Sequence, residues 1–272
     1  MNDCEMHSDL MSISLFQLIS KVYLTNASSW SVGDINALED VLSACNNLSC
    51  LYLAQKRDNT DIADDAIEAI FRMLGKHPQI SEIGFEGMTL GGALGKYPLP
   101  AVESLCLECC MLREPGFEGI SKLNLKYLEV TYTYNLPNNN FHGLYQFIEE
   151  QAQSLKKLGL DFHLLAQFEY IKLLKQMTKF DRLQKLYLIC IFHVDISCLE
   201  NILLAFMCIR SAKSLTIDSV PRLDEDELQS RMTHLLQAMK SSCTLNCRPP
   251  LHIKLIQGGG QSYSTLKTAW RY

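Results

Sequence analysis

The sequence predicts an α/β solenoid. Short parallel strands alternate with helical or turn segments, with the strands lining the inner side of an arc and the helices the outer side. Three observations predict this. A pattern of apolar-x-x-apolar-x-apolar recurs from one end of the chain to the other. The segments between its copies carry apolar residues at three- and four-residue steps, the helical period. No unrepeated stretch is long enough to form a second core.

The pattern appears as Ile19-Val22-Leu24, Leu48-Leu51-Leu53, Ile80-Ile83-Phe85 and Val102-Leu105-Leu107. It continues as Leu125-Leu128-Val130, Leu155-Leu158-Leu160, Leu183-Leu186-Leu188 and, more weakly, Ala212-Leu215-Ile217. Copies start about 28–32 residues apart, with two tight intervals of about 22–23. In each copy the last two apolar positions alternate with exposed ones, as in a strand buried on one face.

The first element expected is an N-terminal capping helix within residues 1–18, carried by Leu10, Met11, Ile13, Leu15, Phe16 and Leu18. A cap is needed because a solenoid end otherwise exposes core. The repeats then occupy 19–255. Residues 34–44 should form a helix with Ile35, Leu38, Val41 and Leu42 on one face. Residues 61–75 should do the same with Ile62, Ala66, Ile67, Ile70 and Leu74, ending at Gly75. Further helices are expected over 141–153, 167–178, 197–209 and 225–241. The two short repeats around Gly91, Gly92, Pro98, Pro100 and Pro115 should hold turns or a single helical turn. His252, Ile253, Lys254 and Leu255 suggest a last strand. Residues 256–272, opened by Gly258, Gly259 and Gly260, read as a tail. A helix is about 10 Å wide and paired strands about 4.8 Å apart, so stacking both must curve the sheet.

Within this frame, Val102, Leu105, Leu107, Cys110 and Leu112 resemble the ribonuclease-inhibitor-like group of leucine-rich repeats, which place Cys or Asn at the turn position held here by Cys110. The other copies have Ala27, Lys56, Met88, Thr133, His163, Ile191 and Val220 there. The resemblance implies about 8–9 repeats. It also implies a role like the sensing or regulatory part of a NOD-like receptor, or like the substrate-reading part of an F-box protein in a ubiquitin ligase. A pathogen effector that engages host proteins is a third possibility. The sequence shows neither an F-box pattern nor a nucleotide-binding segment.

Composition narrows the function classes. Of 272 residues, 47% are hydrophobic and 20% charged, so a continuous core is possible and disorder is not indicated. A formal net charge of -5 gives no basic footprint for nucleic acid. No apolar run reaches the length of a membrane span, and the acidic start does not read as a signal peptide. The 11 cysteines are odd in number and scattered, which suits a reducing compartment, the cytoplasm. Asn26 and Asn47 lie in glycosylation sequons, which are read as chance in the absence of an export signal.

No catalytic constellation emerges, and the chain is expected not to be an enzyme. Cys106-x-x-Cys109-Cys110 lacks a second ligand pair, and Cys243-x-x-x-Cys247 with His252 is more economically read as structural thiols. No metal or cofactor is expected. A reactive thiol at Cys109 or Cys190 is the one enzymatic alternative. The seven histidines pair with no nucleophile in a known signature. Acidic runs such as Asp64-Asp65 and 224–227 suit helix starts.

The strand residues between core positions should form the binding surface. The central column reads Tyr23, Tyr52, Gly84, Cys106, Glu129, Gly159, Tyr187, Thr216, and the next Thr25, Ala54, Glu86, Glu108, Thr131, Asp161, Ile189, Asp218. Tyr127, Tyr132 and Phe162 stand beside them. Tyrosines at interfaces are frequent hot spots. Glu86, Glu108, Glu129 and Asp161 gather acidity in the middle, while Lys126, Lys156, Lys157, Lys185 and Lys213 form a basic edge. The expected partner is therefore another protein with a basic patch, not nucleic acid or membrane. The chain itself would be a monomer or part of a larger complex.

Overall fold

The computed structural model describes residues 18–25, 30–55, 64–90, 97, 99, 101–113, 117, 123–131, 134–136, 142–161, 175–177, 179–189, 201–202, 204–206, 209–220, 230, 233, 237 and 252–257. The chain divides into two compact units. The first comprises residues 1–123 and 134–139, the second 124–133 and 140–272.

In the first unit, β1 (Lys21–Leu24), β2 (Cys50–Ala54), β3 (Glu82–Glu86) and β5 (Ser104–Glu108) pair side by side, all parallel. Helix α1 (Val32–Ala44) joins β1 to β2, and α2 (Asp64–Lys76) joins β2 to β3. Leu51, Leu53, Ile83, Phe85, Leu105 and Leu107 are all buried, as are the pattern's leading residues Leu48, Ile80 and Val102. Burying each such side chain favours folding by about 1.5–3 kcal/mol over leaving it exposed. The first copy differs, since Ile19, Val22 and Leu24 are only half-buried.

Ser31 starts α1. Its hydroxyl accepts from the Asp34 N–H, and the Asp34 carboxylate accepts from the Ser31 N–H at 2.7 Å, a reciprocal cap. Those Ser31 bonds hold the Asp34 carboxyl below its ordinary value. Ile35 and Leu42 are buried, but Val41 is 38% exposed, so the expected apolar face is narrower than the periodicity suggests. Seven-residue spacing brings Ile35 and Leu42 onto one line, and Val41 falls about 100° to the side of it. In α2, Ala66, Ile67, Ala69, Ile70, Phe71, Met73 and Leu74 are buried. This helix runs past Gly75 to Lys76, so Gly75 does not end it. The His77 N–H then bonds the Leu74 carbonyl at 3.1 Å and closes the last turn.

Beyond the main strands the chain also forms a second parallel sheet. It consists of β4 (Thr89–Leu90), β6 (Met111–Arg113) and β8 (Tyr134–Leu136). The step into it uses left-handed backbone at matching positions, Gly87 (φ 69°) after β3 and Cys109 (φ 53°) after β5. Glycine adopts that conformation freely and cysteine at a cost.

In the second unit, β7 (Tyr127–Thr131), β9 (Lys157–Asp161), β10 (Lys185–Ile189), β11 (Ser214–Val220) and β12 (His252–Gln257) are likewise parallel and adjacent in that order. Leu128, Val130, Leu158, Leu160, Leu186, Leu188, Leu215, Ile217 and Ile253 are buried beneath them. Helix α3 (His142–Glu150) packs Leu144, Tyr145, Phe147 and Ile148 inward. The buried Gln151 side chain accepts from the Leu125 N–H at 2.8 Å, tying the segment after α3 to the start of β7. Helical turns also stand at 175–177 and 201–206 where described. The expected capping helix within 1–18, apart from the exposed Leu18, and most of the expected helices at 167–178 and 225–241 lie outside the described residues, as does the expected tail at 256–272 apart from Ile256 and Gln257, which continue β12.

One backbone device recurs in both units. Just before a strand, two successive N–H groups share the carbonyl at the start of the preceding strand. Ser49 and Cys50 donate to Ser20, Ser81 and Glu82 to Ser49, Lys156 and Lys157 to Lys126, and Gln184 and Lys185 to Lys156. This fixes the register, so the side chains between core positions stand in columns.

Candidate functional site

Within each unit, members of the central column are in register. Tyr23, Tyr52, Gly84 and Cys106 are in register in the first unit, and Glu129, Gly159, Tyr187, Thr216 and Lys254 in the second. Glu86 faces Glu108 across β3 and β5, and Asp161 faces Ile189 across β9 and β10. Three members of the second column are not surface: Ala54, Thr131 and Ile189 are buried. Tyr132 and Phe162 lie outside the described residues.

The first unit's face starts from Gly84. A Cβ there would lie 2.0 Å from Tyr52 Cδ2 and 2.3 Å from Cε2, so the Tyr52 ring lies flat over the glycine. Lying flat carries the Tyr52 hydroxyl past β3 to β5, where it donates to Glu108 Oε2 at 3.4 Å. Tyr23 then stacks on Tyr52, with ring centroids 4.6 Å apart and planes within 10°. It donates to Glu86 Oε2 on β3 at 2.9 Å. Each hydroxyl therefore reaches two strands onward, a distance of about 10 Å. Lys21 leans the same way and approaches Glu82 at 3.9 Å. Two carboxylates placed side by side repel, and here each accepts a hydroxyl that offsets part of that cost. Burial raises both tyrosine hydroxyls above their ordinary value, with Glu86 next in effect for Tyr23, and Cys106 and Glu108 for Tyr52. Tyr23 is 58% exposed even so.

The second unit repeats the geometry with other side chains. A Cβ on Gly159 would lie 2.9 Å from Glu129 Cγ, so Glu129 lies over this glycine. Its carboxylate meets Lys157 Nζ at 3.0 Å. The Tyr187 hydroxyl donates to Asp218 Oδ2 at 3.1 Å on the adjacent strand. Asp161 and Tyr187 are half-exposed. Sequence reasoning missed these pairings, and the one available signal was a glycine in a strand column, which marks a close approach.

Cys110 is fully buried, with its sulfur 3.3 Å from the Phe85 carbonyl and 3.4 Å from that of Glu108, and burial pushes it up to about 12. Burial also raises Cys45 and Cys50. Cys109 stands half-buried at the left-handed turn. Cys190, Cys243 and Cys247 lie outside the described residues. Among the described residues, no three of His, Cys, Asp and Glu come together as a metal site, and no helix is long and apolar enough to cross a membrane.

Comparison with known proteins adds little. No family model matches the chain, and no curated protein matches it. Its structure is similar to the crystal structure of a structural-genomics protein from Bacteroides fragilis. The two share 13% identity and a TM-score of 0.45, with 90% of this chain and 76% of that one covered. That likeness is too loose to carry functional inference.

Proposed function

We propose that this chain recognises another protein without catalysis, through the exposed side-chain columns of its parallel strands. The observation that carries this reading is the ordered face of the first unit. There an exposed tyrosine is stacked on a second and both are tethered to carboxylates. Such pre-ordered aromatics lose little entropy on binding and are frequent hot spots. Within this reading the repeat is of the leucine-rich, ribonuclease-inhibitor-like type, and the protein is a solenoid. Cys110 supports that assignment, because its sulfur sits buried at the turn within reach of the Phe85 carbonyl, as a repeat turn residue should. The role closest to this architecture is a sensing or regulatory module of the NOD-like-receptor kind, acting in the cytoplasm.

The test is affinity capture by the full chain from its native cell extract, beside a Glu86→Lys, Glu108→Lys double variant of matching circular dichroism. A stoichiometric protein partner lost by the variant is the expected result. Capture of nothing, or of a partner indifferent to the double change, overturns the reading.

A further inference from the structure

The face of the first unit also indicates what kind of side chain it takes. One face of the Tyr23 ring is covered by Tyr52, and the residue is nevertheless 58% exposed. Its hydroxyl bond to Glu86 sets that carboxylate at the far end of the ring. Glu108 stands in register beside Glu86. Lys21, on the same strand as Tyr23, is directed to Glu82 instead. Among the described residues no lysine or arginine contacts Glu86 or Glu108. Among the described residues, a more than half-exposed, electron-rich ring thus stands next to two carboxylates that no lysine or arginine contacts.

We infer that Tyr23 and Glu86 form the seat of an arginine side chain presented by the partner protein, its guanidinium stacked on the ring face that Tyr52 leaves uncovered and its N–H edge turned to the Glu86 carboxylate. The inference rests on the recognition reading above and names the chemistry of its partner. Arginine fits because one planar group can stack on an aromatic ring and at the same time offer paired donors to a carboxylate. Lysine, a compact and strongly hydrated charge, satisfies the carboxylate but covers little of the ring. The seat is preformed. Gly84 lets Tyr52 lie down, Tyr52 supports Tyr23, and the Glu86 bond fixes the ring's tilt. Little ordering is left for the partner to induce.

The experiment is selection of displayed random dodecapeptides on the immobilised full chain, followed by affinity measurement of the best peptide, its Arg→Lys counterpart and the Tyr23→Leu, Tyr23→Phe and Glu86→Gln proteins. Selected peptides should be enriched in arginine. Arg→Lys in the peptide and Tyr23→Leu in the protein should each weaken binding about fivefold, and Glu86→Gln about tenfold. Tyr23→Phe, which keeps the ring, should lose about threefold at most. Peptides that bind without arginine, or arginine peptides insensitive to Tyr23→Leu, overturn the seat. If those same peptides are lost on changing Tyr187 or Lys185, strand-face recognition stands while the arginine seat falls. A chain that selects no peptide and captures no protein loses both.

Discussion

Gly84 in the first unit and Gly159 in the second occupy the same column position, yet different side chains lie over them. Over Gly84 lies an aromatic ring, which then supports a second ring and passes its hydroxyl to an acid two strands on. Over Gly159 lies a glutamate, which folds onto a lysine of the strand next to its own. One backbone register therefore yields two surfaces. In the first, no described lysine or arginine contacts the carboxylates of Glu86 and Glu108. The second compensates Glu129 with Lys157. A strand glycine here acts as a socket, and what fills it decides whether the neighbouring carboxylates meet tyrosine hydroxyls or a lysine.

The comparison can be tested from its strongest element downward. Truncating a core leucine beneath each face, Leu53→Ala in the first unit and Leu158→Ala in the second, should cost about 2–5 kcal/mol each by urea denaturation. A much smaller cost at one site would show that unit to be loosely packed. Gly84→Ala should cost about 1–3 kcal/mol, because a methyl 2.0 Å from Tyr52 Cδ2 must lift a rigid ring and unstack Tyr23. Gly159→Ala should cost under about 1 kcal/mol, because the flexible Glu129 chain can swing aside. Equal costs for the two alanines would erase the distinction between the sockets. Tyr52→Phe and Lys157→Met remove the polar tether on each side, and both should change stability by only about 0–1 kcal/mol. In capture or peptide binding, however, only Tyr52→Phe should matter.

The last contrast is with pH. The raised values of Tyr23 and Tyr52 mean that the folded state holds these protons more tightly than the unfolded chain. Their contribution to stability is fully present below about pH 10, the ordinary tyrosine range, and is lost as pH rises through the raised values. Alkaline titration of tyrosine absorbance should show hydroxyls ionising later in the native than in the denatured chain. Tyr52→Phe should flatten part of the alkaline loss of stability. A native curve that overlays the denatured one would refute the buried tether.

The sequence made the strand cores legible because burial on one face leaves a period of two. Leu51 and Leu53, or Leu186 and Leu188, had to point the same way. It made the columns legible for the same reason, once parallel register was assumed. It did not reveal that Tyr23 and Tyr52 lean across two strands, because lean depends on what the neighbouring strand omits, and only Gly84 hinted at it. The second sheet was hidden for another reason. Thr89–Leu90 and Met111–Arg113 are too short to show alternation, and they pair only because left-handed residues Gly87 and Cys109 turn the chain to the same angle. Val41 misled because a helical face counted in threes and fours is broader than the strip that packing covers.

Cys110 has a consequence for watching this protein work. Its sulfur is enclosed beneath the turn and holds its proton to about 12, so the folded state presents almost no thiolate to an alkylating reagent at neutral pH. Reaction at Cys110 must wait for the turn after β5 to open. Its labelling rate therefore serves as a clock for local opening of the first unit. A ligand seated on Tyr23 and Glu86 would bind the closed form and slow that clock, so occupancy could be read from a buried residue at the turn after β5.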